Sequence, residues 1–175
     1  TEVQEIKGQK DIESDGTAAK EPGPNDTQVQ LMDVGFQVFK EPVKAPEFTL
    51  RNLNGEDISL SSFTGKTVLL NFWATWCPPC RVEMPSMQRM YDELHDEGFE
   101  LIAVDLQEPE STVKAFIEEN GYNFPVLLDS DGKIGATYGA RSIPQTYLID
   151  ADGFAVAVAT GAREWDSKEL YSALR

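Results

Sequence analysis

Thr67-Val68-Leu69-Leu70-Asn71-Phe72-Trp73-Ala74-Thr75-Trp76-Cys77-Pro78-Pro79-Cys80 decides the reading of this chain. The apolar run 67–74 reads as a buried strand. The chain's only two cysteines follow at once, with two prolines between them. A strand that ends in C-x-x-C and then enters a helix is the arrangement a reactive thiol pair needs. Pro78 and Pro79 fit the first turn of a helix, where missing N–H groups cost little. Cys77 then lies at the helix N-terminus, where the dipole and free N–H groups lower a thiol pKa. Cys80 lies one turn in, on the same face and more shielded. Cys77 is therefore expected to attack and Cys80 to resolve.

Other uses of the pair fit poorly. A bridge between Cys77 and Cys80 closes a very small ring, stabilising by about 2 kcal/mol against roughly 4 to 5 for a loop of ~100 residues. Two thiolates and one histidine, His95, fall short of the usual four zinc ligands. The net charge of −15 argues against nucleic acid and against anionic membranes. It also suits plain solubility. The apolar content, 41%, is enough for a core, and no apolar run approaches a membrane span. The chain does not begin with Met and shows no targeting signal, so a processed or truncated form is expected.

Residues 1–44 read as a polar leader or tether, with glycines, prolines and charges and no sustained apolar period. Within it, Val29 to Phe39 carries enough apolar residues to dock. A domain is expected over 45–175. Residues 47–50 and 57–60 flank Asn52-Leu53-Asn54-Gly55 as a hairpin. A helix is expected from the prolines to about His95, kinked at Pro85. A strand over 100–105, a helix over about 111–120 and a short strand over 124–128 follow. A short helix comes next, from about Ile134 to Tyr138. Strands over 145–150 and 154–160 are joined by Asp150-Ala151-Asp152-Gly153, and a last helix starts near Ser167. The alternation points to an α/β fold, a mixed sheet with helices on both faces.

Phe72-Trp73-Ala74-Thr75-Trp76-Cys77-Pro78-Pro79-Cys80-Arg81 resembles the active-site segment of the thioredoxin superfamily. Ala45-Pro46-Glu47-Phe48-Thr49-Leu50 and Arg81-Val82-Glu83-Met84-Pro85 narrow the likeness to its TlpA/ResA-like branch, over residues 45–175. The resemblance implies a thioredoxin fold with a helix–strand insert at about 108–128. It implies an extracytoplasmic thiol–disulfide oxidoreductase held by an N-terminal anchor. Many such proteins are reductases in cytochrome c maturation or copper-site assembly. A membrane-bound electron donor of the DsbD/CcdA type is the implied partner, with no cofactor beyond the Cys77–Cys80 pair.

Ile143-Pro144 matches the superfamily's cis-proline loop, where an extended substrate segment pairs with the backbone beside the thiols. Many thioredoxins carry a buried aspartate six residues before the first cysteine; Asn71 stands there. Glu83, one turn beyond Cys80, matches a glutamate in the cavity of ResA-like proteins and is expected to carry the Cys80 proton. The competing reading is that Glu83 only complements the helix dipole. Trp76, with Pro78 and Pro79, is expected at the partner-facing rim, while Trp73 packs inward. Glu108, Glu110, Glu118 and Glu119 read as a solvated acidic face. The alternatives to a reductase are a disulfide donor, a peroxiredoxin-like peroxidase and a Cu(I)-binding module. The peroxidase pattern wants Thr or Ser where Ala74 stands. The copper carriers use wider cysteine spacing and a histidine that the 139–146 loop lacks.

Overall fold

A computed structural model describes residues 23–175. The elements in order are α1 (Asp26–Asp33), β1 (Gln37–Lys44), β2 (Thr49–Asn52) and β3 (Asp57–Ser59). A 3-10 turn over Leu60–Phe63 leads to β4 (Thr67–Trp73), α2 (Pro78–Leu94) and β5 (Phe99–Leu106). Then come α3 (Glu110–Asn120), β6 (Val126–Asp129), α4 (Lys133–Thr137), β7 (Gln145–Ile149), β8 (Phe154–Thr160) and α5 (Lys168–Leu174). The strands form one mixed sheet in the order β1-β8-β7-β4-β5-β6-β2-β3. β4, β5 and β6 are parallel, and the flanking strands are antiparallel.

The pleat of β4 divides the core, because successive side chains point to opposite faces. Leu69 and Trp73 join Leu31 of α1, the methionines of α2, Val113 and Ile117 of α3 and Leu170 of α5. Val68, Leu70 and Phe72 face Phe48, Leu60 and Tyr138, beside α4. β4 is buried on both faces, so it reads as a continuous apolar run. Asn71 breaks that run, and its place is explained by the site. α2 runs on through Pro85, whose side of the helix is exposed.

The boundary expected at residue 45 falls too late. Residues 1–22 of the expected leader lie outside the described residues, but α1 and β1 belong to the folded unit. Asn25 and Gln28 close a reciprocal capping box at the start of α1. Leu31 and Phe36 are buried in the same core as α2 and α5. β1 pairs with β8 as an edge strand, with a register break between Val38 and Val43. Edge strands tolerate Lys, Glu and Pro because one side lacks a partner. Lys40, Glu41 and Pro42 at that break therefore read as linker composition. Leu31→Ala should cost about 2–3 kcal/mol and lower the melting temperature by several degrees, as a buried truncation does. A melting curve unchanged from the parent would show that α1 is not part of the cooperative unit.

Candidate active site

β4 delivers the chain to the N-terminus of α2, with Cys77 as its N-cap. Cys77 and Cys80 are disulfide-bonded, with Cα atoms 5.3 Å apart. The Cys77 Sγ accepts from the Cys80 N–H at 3.4 Å and lies 3.8 Å from the Ile143 carbonyl oxygen. In the dithiol, that N–H and the helix dipole favour a thiolate at Cys77. Cys77 keeps 3% of its surface and Cys80 none, so the pair meets solvent through Cys77 alone. Trp76 is 67% exposed and, with exposed Pro78 and Pro79, forms the rim around it. Trp73 is fully buried. The Ile143–Pro144 peptide is cis and brings the start of β7 against Cys77.

One helical turn beyond Cys80 lies a buried polar network centred on Glu83, which is 1% exposed. Its Oε1 accepts from Asn71 Nδ2 at 3.1 Å. Its Oε2 accepts from Trp165 Nε1 at 2.9 Å and from the Arg163 N–H at 3.3 Å. Asn71 Nδ2 also donates to Thr146 Oγ1 of β7, at 2.9 Å. Burial pushes Glu83 up to about 7, against the pull of its donors, first Trp165 and then Asn71. The position that holds an aspartate in many thioredoxins here holds an amide that steadies a carboxyl on the neighbouring helix. The dipole-only reading of Glu83 fits a solvated residue, and this one is enclosed.

Sequence reasoning brought Cys77, Cys80, Glu83, Trp76 and Ile143-Pro144 to one place, and the structure assembles them there. It missed Trp165, Arg163 as a backbone donor, and Thr146. Trp165 N–H also donates to Ser86 Oγ at 3.0 Å, so the segment before α5 is tied to α2 at two points. The Arg163 guanidinium stacks over Phe36 and Trp165, 5.3 and 5.0 Å from the ring centroids. No local pattern marks residues 161–166, which reach Glu83 only through the tertiary fold. Glu108 also departs from expectation. It is half-buried and accepts from the Thr75 N–H at 2.6 Å and the Thr75 hydroxyl at 2.5 Å. Glu110, Glu118 and Glu119 are exposed, as a solvated face requires. An open groove of about 940 Å³ runs from Thr75 and Pro78 between α2 and α3, past Val82, Phe116 and Tyr122.

The arrangement exchanges two electrons and two protons between a dithiol and a disulfide, and known proteins share it. The AhpC/TSA family matches residues 43–158. The thiol-disulfide oxidoreductase ResA of Bacillus thuringiensis subsp. konkukian is 39% identical over 145 residues, 83% of this chain and 80% of that protein. Among solved structures, a putative thiol:disulfide interchange protein DsbE from Chlorobium tepidum is similar, with a TM-score of 0.71 and 32% identity. That match covers 78% of this chain and 99% of the other. A secreted thiol-disulfide isomerase from Corynebacterium glutamicum also superposes, with a TM-score of 0.71, 26% identity and coverage of 79% and 89%.

Proposed function

Because the chain belongs to the AhpC/TSA family and, within it, to the ResA-like thiol-disulfide oxidoreductases of thioredoxin fold, we propose that it is an extracytoplasmic reductase of protein disulfides. It serves cytochrome c maturation or copper-site assembly and is recharged by a membrane-bound donor of the DsbD/CcdA type. The observation that carries the direction is the buried carboxyl of Glu83, one helical turn beyond Cys80 on α2. A strong disulfide donor owes its oxidising power to a stabilised reduced form. A carboxylate enclosed near the thiols does the reverse, because like charge disfavours the thiolate. The dithiol then gives up its electrons readily.

The mechanism follows from the geometry. The Cys77 thiolate attacks a sulfur of the partner's disulfide, forming a mixed disulfide and releasing one partner thiol. Trp76, Pro78, Pro79 and the Ile143–Pro144 backbone hold the partner segment, which pairs with the backbone at Ile143. Cys80 then attacks the Cys77 sulfur, closing the internal disulfide and releasing the second partner thiol. Cys80 must lose its proton for that step, and Glu83 accepts it. The pair itself carries the electrons, and no cofactor is required. The peroxidase reading lacks its hydroxyl, since the residue three before Cys77 is the buried Ala74.

An extracytoplasmic site agrees with the secreted C. glutamicum neighbour. Among the described residues no helix is long and apolar enough to cross a membrane. The test is the equilibrium reduction potential of the Cys77–Cys80 pair in a thiol redox buffer, followed by Trp fluorescence. A reductase should fall near the thioredoxin end, roughly −270 mV. A value near the oxidising end, roughly −120 mV, would make the protein a disulfide donor and reverse the direction.

A further inference from the structure

Two further acids, Asp105 and Glu108, lie beside the chain that leads into the Cys77 loop. Asp105 closes the register of β5 against β4, directly opposite Trp73. It is 1% exposed, and neither carboxyl oxygen receives a hydrogen bond from an N–H or hydroxyl donor among the described residues. An ionised carboxylate left so is expensive, whereas a protonated one needs only an acceptor. The carboxylate that acts on it most strongly is that of Glu108, which can accept such a proton. Glu108 in turn holds both the N–H and the hydroxyl of Thr75, two residues before Cys77. We propose that Asp105 and Glu108 share one proton and act together as positioning residues, clamping Thr75 and so fixing the backbone that presents Trp76 and Cys77 to the partner.

The charge environment agrees. Burial, and then the adjacent Glu108, push Asp105 up to about 9; burial also raises Glu108, but bonds from Asp105 and Thr75 together outweigh it and hold Glu108 low. The remaining ionisable side chain acting on Asp105 is Asp129 at the end of β6. Asp129 is itself occupied by the Ile134 and Gly135 N–H groups of α4. β4 contributes Trp73 and the following Thr75, neither ionisable here. With two other acids as the charges acting on it, the site favours retention of the Asp105 proton. Two negative charges would face each other if it left, and the hold on Thr75 would weaken. The clamp rests on exchange at Cys77 and is independent of its direction.

The test uses the oxidised protein, in which the cysteines do not titrate. Side-chain carboxyl carbons labelled with 13C should show Asp105 and Glu108 moving together in one alkaline step. That step should vanish in Asp105→Asn, whose amide donates to Glu108 at every pH, and persist in Glu83→Gln. The rate at which a phosphine reductant opens the disulfide should show the same alkaline step in the parent and lose it in Asp105→Asn. Glu108→Gln, which keeps the side-chain volume, should lower the rate at neutral pH and shift the Asp105 signal. Circular dichroism confirms that each variant folds. An Asp105 signal titrating in the ordinary carboxylate range would overturn the shared proton. Parent and Asp105→Asn reduction rates with the same pH profile would overturn the link to the thiol site, whatever the potential of the pair proves to be.

Discussion

Cys77→Ser removes exchange with protein disulfides, a loss on the order of a thousandfold or more, as deletion of a nucleophile does elsewhere. Cys80→Ser stops the reaction one step later. Its Cys77 should attack a partner disulfide once and remain as a stable mixed disulfide, because the resolving sulfur is missing. The asymmetry follows from three observations. Cys77 caps α2 and receives the Cys80 N–H. It alone keeps surface, and Trp76 and the Ile143 carbonyl flank it. Cys80 is sealed beneath, on the helix turn that leads to Glu83. Mixing each variant with a disulfide-bonded peptide and weighing the products separates the roles. An adduct on Cys77→Ser but none on Cys80→Ser would exchange the two assignments.

The thiol pair and the order of strands and helices were legible because each leaves a short-range mark, whereas the cis bond at Ile143–Pro144 followed only from the family resemblance. C-x-x-C after an apolar run marks a strand-to-helix junction, and Asp152-Gly153 marks a hairpin. The expected strand at 124–128 begins two residues later, at Val126, because Pro125 precedes it and cannot donate to the ladder. β1 left no such mark, since its register break and edge position remove the alternation that identifies a half-buried strand. The partners of Glu83 were hidden for another reason. Asn71, Thr146, Arg163 and Trp165 come from β4, β7 and the segment before α5, and only the packed sheet brings them together. Asp105 and Glu108 could have been suspected from their place at the carboxyl end of a parallel strand, where sites in α/β sheets gather. Read without the fold, Glu108 merged with the acidic face of α3.

Glu83→Gln should change both stability and rate, and in opposite directions. Glu83 moves from an ordinary 4.5 to about 7 on burial. Its folded-state pKa is raised, so the stability it contributes is complete below about 4.5 and is lost as pH rises through 7. The difference of 2.5 between those two values corresponds to about 3 kcal/mol at 1.36 kcal/mol per unit. In the oxidised protein, urea midpoints should therefore fall between pH 4.5 and 7.5 for the parent, by more than for Glu83→Gln. Glutamine imitates the protonated acid. Its amide can donate to Asn71 Oδ1, which is buried without a partner among the described residues, once the Asn71 amide turns over. Its carbonyl can still accept from Trp165 Nε1. The variant should thus be the more stable protein at pH 8. It should also be the slower enzyme, on the order of a hundredfold, because the Cys80 proton has lost its acceptor. Its rate profile should lack the step near pH 7. The two effects share one cause: the carboxyl is kept where it is costly so that it titrates in the range where thiols exchange. Parallel urea and rate profiles for parent and variant would assign the titration to another group and leave Glu83 a purely structural residue.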